Sequence, residues 1–305
     1  MRLFDQAVPP VYPPVGKKAR TWRDYQWLGS TPQWAVHVGA LYGLWLGASW
    51  QVWTLCFALY VTRMFAVTGF YHRYFSHRTF KTSRWFQFVM AFWAMTSSQR
   101  GVLWWAAHHR NHHKFSDTEN DVHSPRHTGF WHSHIMWLYD HNEETDYARV
   151  KDLVRYPELV VLDKFWYVPP VMLGFACWLA FGWSGLFVGF MLSTTLLWHG
   201  TFTINSLSHV WGKRRFATSD DSRNNWVLAI VTLGEGWHNN HHYFMNSTRQ
   251  GFYWWEIDIT YMVLKAMSWV GLVWDLKEPP ARVYEAAEGR IPADVGEPST
   301  LQDVA

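Results

Sequence analysis

Two long stretches of this chain carry no formal charge, and each is longer than one membrane crossing. Residues 25–62 form a run of 38 uncharged positions. As one straight helix it would reach roughly 57 Å at 1.5 Å per residue, against a hydrocarbon core of about 30 Å. The run therefore predicts a hairpin that turns near Gly47, Ala48 and Ser49, with spans over about 32–46 and 50–70. The second run, 165–212, has 48 uncharged positions and is broken at the stretch FGWSG, 181–185. It predicts spans over about 166–181 and 185–204. The fold class expected is an all-α integral membrane protein with four transmembrane helices in two hairpins. Segments 71–165 and 205–276 then form a helical cap, preceded by an amino-terminal segment, 1–31, and followed by a polar tail, 277–305, read as loosely ordered from Glu278 on. Arg63 falls in the last turns of the second span, where its stem is expected to snorkel toward the interface. The uncharged stretch 85–99 is too short to span and predicts a partly buried or re-entrant helix. Stretch 259–274, interrupted by Lys265, predicts an amphipathic interfacial helix. A soluble protein with buried helices is the alternative, and a mean hydropathy of −0.18 leans toward it. The uncharged runs are too long for ordinary amphipathic helices, which favours the membrane.

Charge placement orients the spans. Arg2, Lys17, Lys18, Arg20 and Arg23 precede the first hairpin, and Arg73, Arg78, Lys81 and Arg84 follow it, while neither hairpin tip is charged. By the positive-inside tendency both termini and the cap face the cytoplasm. No continuous apolar stretch opens the chain, so no cleavable signal peptide is expected. The 23 tryptophans and 14 tyrosines are rings of the kind that collect at membrane interfaces. Cys56 and Cys177 have no CxxC spacing and offer neither a disulfide framework nor a thiolate metal site. A net charge of +3 without a long basic run gives no reason to expect a nucleic-acid partner.

Histidine is where the chemistry concentrates. Of 17 histidines, nine fall in patterned groups: HRYFSH (His72, His77), HRNHH (His109, His112, His113), NSLSH (His209) and HNNHH (His238, His241, His242). Spacing i, i+3, i+4 gathers three side chains on one helical face. Two such triplets facing each other make room for two metals. Imidazole suits zinc, copper, iron or nickel rather than magnesium or calcium. The i, i+5 spacing of HRYFSH puts His72 and His77 on different sides of a regular helix, so that helix is expected to end between them. Only Glu235 with His238 fits the Glu-x-x-His pattern of carboxylate di-iron bundles, which excludes that type. Asp117, Glu119 and Asp121 are candidate acceptors for ligand N–H groups. His123, His127, His132, His134 and His141 read as hydrogen-bonding or surface residues, and His37 and His199 as satisfied by backbone carbonyls.

These residues, within TGFYHRYFSHRTF, HRNHHKFSDTENDVHSPRHTGFWHSH, INSLSHVWGKRRF and GEGWHNNHH, resemble the membrane fatty-acid desaturases. Among them the resemblance is to the stearoyl-CoA (acyl-CoA Δ9) type, over about residues 67–276. It implies a mushroom-like helical fold and a di-iron centre that uses O2 and two electrons to desaturate an acyl chain. The implied ligands are His72, His77, His109, His112, His113, His209, His238, His241 and His242, with Asn205 holding a metal through water. Arg110 would face the acyl-donor headgroup, and Trp105 would stand near the substrate entrance. An acyl chain would need a closed apolar tunnel to fix one C–C bond beside the centre, and Met64 and Tyr60, two to three turns before His72, are the candidates to cap it. WAAHH stands where the acyl-CoA members carry WARDH, so acyl-carrier-protein or lipid-bound donors stay open beside acyl-CoA; His108 replaces the aspartate. Two other readings are a membrane di-iron hydroxylase and a histidine-rich metal transporter, although the latter's ligands should lie near the bilayer midplane. The chain has no haem-binding HPGG segment and no cysteine set for an iron–sulfur cluster. Electrons are therefore expected from a separate ferredoxin-type protein or b-type cytochrome, with Lys213, Arg214 and Arg215 as a possible part of its docking surface.

Overall fold

The structure is a computed structural model and describes residues 25–140 and 144–290. The expectations for 1–24, for His141 and for the end of the tail lie outside the described residues. Helix α1 (Thr31–Leu46) ends at Gly47, whose φ of 72° opens the turn to α2 (Trp50–Phe65). The expected break in the second run is present. Helix α9 (Val168–Ser184) leaves helical geometry at Phe181 and Gly182, and the chain returns through a π-helix (Gly185–Leu192) into α10 (Ser193–Asn205). Two continuous stretches, Trp50–Ser76 and Val168–His209, are long and apolar enough to cross a membrane.

Small residues let these helices meet. A Cβ at Gly39 would lie 2.2 Å from Met191 Sδ, and one at Gly43 would lie 3.0 Å from the Phe187 backbone. The two glycines, four apart, seat α1 on the π-helix by the close approach that such pairs permit. Gly174 of α9 faces Phe190 of the same π-helix, so α1 and α9 share one support. Arg63 does not snorkel outward. It is 1 % exposed and donates to Ser193 Oγ (2.5 Å), Thr194 Oγ1 (2.7 Å) and the carbonyls of Leu59 and Thr96. Inward hydroxyls and carbonyls satisfy the guanidinium where no carboxylate is at hand.

The helix carrying the first histidine pair does not stop between them. After α2 the chain continues as a π-helix (Ala66–Ser76), and His77 N–H donates to His72 O at 3.3 Å. An i→i+5 repeat brings residues five apart toward one face. That is why the α-helical rule misjudged HRYFSH.

The remaining elements are mostly short helices. Helix α3 (Arg84–Met95) buries Phe86, Met90, Ala91 and Ala94, and leaves Trp85 exposed. Helix α4 (Val102–Phe115) carries the second histidine group. Its first free N–H groups, at Leu103 and Trp104, donate to Asp163 Oδ1 at 2.8 and 3.0 Å, a cap supplied from sixty residues away. Four short helices follow, α5 (Pro125–Thr128), α6 (Phe130–His134), α7 (Lys151–Val154) and α8 (Pro157–Lys164). Beyond α10 come α11 (Trp226–Val231), α12 (His238–Tyr243) with the last histidine group, and α13 (Ile259–Trp269). The stretch expected as one helix to 274 ends earlier. Val273–Trp274 pairs instead with Lys81–Thr82 as a two-stranded antiparallel ladder. Within the stretch read as a polar tail, α14 (Ala281–Ala287) packs Val283 and Ala286 against Phe216 and Phe252.

Replacing Gly43 with leucine is expected to push α1 off the π-helix. The cost of such overpacking is about 1–3 kcal/mol, to be read as a lower melting temperature of the detergent-solubilised protein.

Candidate metal centre

The nine histidines come together as two adjoining clusters. His72, His77, His109, His113 and His241 bring one nitrogen each within 4.8 Å of one another, and so do His112, His209, His238 and His242. The helical triplets are divided between the clusters. On α4, His109 and His113 serve the first and His112 the second; on α12, His238 and His242 serve the second and His241 the first. A step of four residues stays on one face, and the residue beside it turns to the neighbouring site. This interleaving makes the two clusters one unit, with the His113 and His242 rings 4.5 Å apart across the boundary.

The nitrogens face each other. His72 Nε2 lies 3.0 Å from His241 Nε2, His77 Nε2 2.8 Å from His109 Nε2, and His209 Nε2 3.0 Å from His238 Nε2. Four rings have their other nitrogen on a carboxylate. His209 Nδ1 meets Asp117 (2.7 Å), His112 Nδ1 Asp121 (3.2 Å), His242 Nδ1 Asp220 (2.6 Å), and His72 Nδ1 Glu235. A carboxylate there draws the ring proton to Nδ1 and leaves Nε2 as a lone pair aimed inward. His242 Nε2 is buried with no hydrogen-bond partner. Convergent lone pairs and an orphaned buried nitrogen fit a cation, and the all-imidazole donor set fits a first-row transition metal.

Protonation points the same way. Burial, and then the neighbouring imidazoles, hold His77, His109, His113, His238 and His241 well below the ordinary histidine range. Burial would raise Asp117, Asp121, Asp220 and Glu235, but their histidine partners outweigh it and hold all four below the usual carboxylate range. At His112 burial is overcome by Asp121 and the net direction is upward. At neutral pH these five depressed histidines are therefore neutral donors, and the four carboxylates behind the cage are charged.

Several supports were hidden from the sequence reading. Asp220 and Glu235 hold His242 and His72 of the clusters, whereas Glu119 of the expected trio is exposed. The two asparagines inside HNNHH are fully buried. Asn239 Oδ1 accepts from the N–H groups of Arg215 (2.7 Å) and Phe216 (2.8 Å), and Asn240 Nδ2 donates to Gln250 O and Glu256 Oε2, both at 2.9 Å. They fasten the six-residue α12 to the loops around it. Arg73, also fully buried, pairs with Glu235 and Asp258, and so ties the first π-helix to the segment before α12.

The other predicted site residues distribute as follows. Trp105 stacks on His109 with ring centres 5.1 Å apart, and its Nε1–H donates to Gln99 Oε1 at 3.2 Å. Asn205 shares with His72, His109, His112 and His238 the wall of a cavity of about 50 Å³, which Met64 and Thr68 also line. Tyr60 is not on that wall; its hydroxyl donates to Val231 O at 2.7 Å. Arg110 finds all its partners within the protein. Its five N–H groups go to Asp152 (2.7 and 3.0 Å) and to the carbonyls of Phe75, Ser76 and Arg149, so it acts as an internal brace. His108 stacks on Trp104 and is held by burial to about 3. His127 and His132 lie within hydrogen-bonding distance of the carbonyls of Asp117 and Val122. His37 meets Gln33 O, while His199 lies between His37 and His134 rather than on a carbonyl.

The family model described as fatty acid desaturase matches residues 48–268. Delta-9 acyl-lipid desaturase 2 of Arabidopsis thaliana is 36% identical over 264 residues, 85% of this chain and 85% of its own length. Acyl-CoA C20 Delta5-desaturase of Anemone leveillei is 36% identical over 253 residues, 80% of this chain and 81% of that one. The sn-2 palmitoyl-lipid 9-desaturase of Nostoc sp. (strain 36) is 38% identical over 208 residues, 66% and 73% of the two chains.

Two outcomes are expected. Asp117→Ala should weaken metal retention about 10–100-fold, the usual cost of removing a partner behind a ligand, as read by metal content after a chelator challenge. The metal-free protein should lose thermal stability as pH falls below about 6.5. Its depressed histidines stay neutral in the fold while the unfolded chain takes up protons, so stability is present above that pH and drains below it.

Proposed function

The chain belongs to the fatty acid desaturase family, and from that premise we propose that it is an O2-dependent desaturase that introduces a cis double bond, at the Δ9 position, into a saturated fatty acyl chain at a di-iron centre. The observation that carries this reading is the paired histidine cage opening on an apolar cavity. The nine clustered histidines are the proposed ligands, with Asn205 holding a water at the cavity side. Four crossings, at α1, α2 with its π-helical extension, α9, and the 185–205 run, would leave the cap and both termini on the cytoplasmic side. The uncharged hairpin tips and the arginines that follow α2 support that orientation.

Two iron ions bound in the cage would supply the reduction of O2 to two waters, taking two hydrogens from the chain and two electrons with two protons from outside. The protein's own part is positioning. Trp105 stacked on His109 forms one wall of the small cavity, and Met64, Val67 and Thr68 form its far side. An acyl chain offers no polar handle, so such walls alone fix which bond meets the metals. Gly200 leaves the space that Met64 and Tyr60 fill, since a Cβ there would lie 2.8 Å from Met64 Cε and 3.2 Å from Tyr60 Oη. The electron donor is a separate ferredoxin-type protein or b-type cytochrome. Of the basic trio considered for its docking, Arg215 is committed to Glu256 and Asn240, which leaves Lys213 and Arg214 exposed. Relatives are named both for lipid-bound and for CoA-linked substrates, so their names do not choose the acyl carrier.

Gas chromatography with mass spectrometry of fatty acids from an aerobic host expressing the chain should reveal a new monounsaturated acid. It should fall at least about 100-fold in His112→Ala. Hydroxylated products in place of an alkene would transfer the assignment to the hydroxylase reading. Met64→Ala should deepen the cavity and shift the preferred substrate to longer chains, and an unchanged chain-length profile would remove Met64 from that role.

A further inference from the structure

The small cavity does not stand alone. A cleft of about 1120 Å³ shares Trp105, His109, Thr201 and Asn205 with it, so the two are continuous at the cage. A polar bridge marks the junction. Trp105 Nε1–H donates to Gln99 Oε1, and Gln99 Nε2–H donates to Thr201 Oγ1 at 3.1 Å, joining α4 to α10 across the throat. From there the cleft runs over α10 between α1 and α9. Those two helices seat on the π-helix Gly185–Leu192 through Gly39, Gly43 and Gly174, which leaves a gap between them over the α10 half of the span.

The rim shows what the cleft opens onto. Its exposed lining residues are confined to two places, Gly29 and Pro32 at the start of α1 and one stripe of 167–183 on α9. Both are parts of helices proposed to cross the bilayer, and Val171 and Phe175 on the stripe are 65% and 56% exposed. A hydrocarbon chain moving sideways from lipid into such a slot exchanges one apolar surrounding for another, with little desolvation to oppose it. Coenzyme A asks for something different, because its phosphates call for several cations. Among the described residues the lining holds one arginine, Arg100, and no lysine. The Arg100 guanidinium lies over the rings of Trp104 and Trp166, 5.9 and 5.2 Å from their centres. Arg110 is committed to Asp152, and position 107 is alanine.

We infer that this cleft is a lateral portal and that the acyl donor is a membrane glycerolipid, its chain passing between α1 and α9 and beneath the Trp105–Gln99–Thr201 bridge to the cage. The inference rests on the desaturase reading and names its substrate class. Purified, iron-loaded full chain, reconstituted with a competent electron source, contains no acyltransferase, so each donor keeps its own chain. Dioleoyl-phosphatidylcholine vesicles containing 1-stearoyl-2-oleoyl-phosphatidylcholine are compared with dioleoyl-phosphatidylcholine vesicles given stearoyl-CoA. The expected result is a new double bond in the lipid-bound stearoyl chain at a rate at least tenfold above that with stearoyl-CoA. Val171→Trp, which narrows the mouth far from the cage, should cut the lipid reaction at least fivefold with iron content unchanged. Equal or faster turnover of stearoyl-CoA, or an undiminished lipid reaction in iron-loaded Val171→Trp, overturns the portal and leaves the desaturase reading intact. No alkene from either donor overturns the desaturase reading, and the portal with it.

Discussion

Everything in this molecule is arranged around one close contact: imidazole nitrogens facing each other at about 3 Å in a buried pocket. Two lone pairs at that distance repel and two protonated nitrogens repel more, so each facing pair must share one proton as an N–H···N hydrogen bond or hold a cation. The scaffold therefore has to keep the rings aimed, close and out of the doubly protonated state. Three kinds of support do this. Carboxylates fix the proton on the outer nitrogen of four rings. A π-helix brings His72 and His77 together. Buried amides and the Arg73 ion pairs clamp helices too short to hold their own position.

Much of this was legible in the sequence because it was written in period and charge. The two uncharged runs are longer than one crossing, and their breaks fall at residues suited to turning, which is where the chain turns. The triplets HRNHH and HNNHH carry the helical step that gathers ligands, and the structure adds only that each triplet is shared two to one. HRYFSH was misjudged because nothing in the residues announces a π-helix; the α-helical step is the default against which five-residue spacing looks wrong. Arg110 and Arg63 illustrate another limit. A guanidinium's partners depend on tertiary neighbours such as Asp152 or Ser193, 42 and 130 residues away, and sequence shows only that the charge needs partners. Asp220 lies 22 residues from its histidine in a loop with no period to read. The GALYG stretch of α1 was different, since its glycine spacing was present and its meaning as a helix contact could have been drawn.

The apolar half of the molecule and the cage are not separate parts. Helix α10 supplies Trp198 and Thr201 to the wide cleft and Ile204 to the small cavity, while Thr201 and Asn205 line both. The short turn after it delivers His209 to the second cluster. A single run of chain therefore leads from the wide apolar cleft to a nitrogen of the second histidine cluster. A shift of α10 would change the width of the throat and the reach of His209 together. The Gln99–Thr201 hydrogen bond and the inward-turned Arg63, which grips the first turn of α10 through Ser193 and Thr194, hold that run in register.

Charge arithmetic says something about what the cage is built to hold. Nine neutral imidazoles contribute nothing toward balancing a buried metal charge, and an unbalanced charge away from water is costly. Among the described residues four carboxylates stand directly behind ligands, Asp117, Asp121, Asp220 and Glu235, a total of −4. Arg73 beside Glu235 is offset by Asp258 on its other side, so this pair adds nothing to the sum. The balance matches two divalent cations. Asp121 has a second place as well, since one of its oxygens and one nitrogen each of His112 and His123 lie within 4.8 Å of one another, a third group able to hold a cation. Held behind the imidazoles, the four carboxylates would neutralise cations bound in the cage as a whole, and they fix the tautomer of the rings they touch.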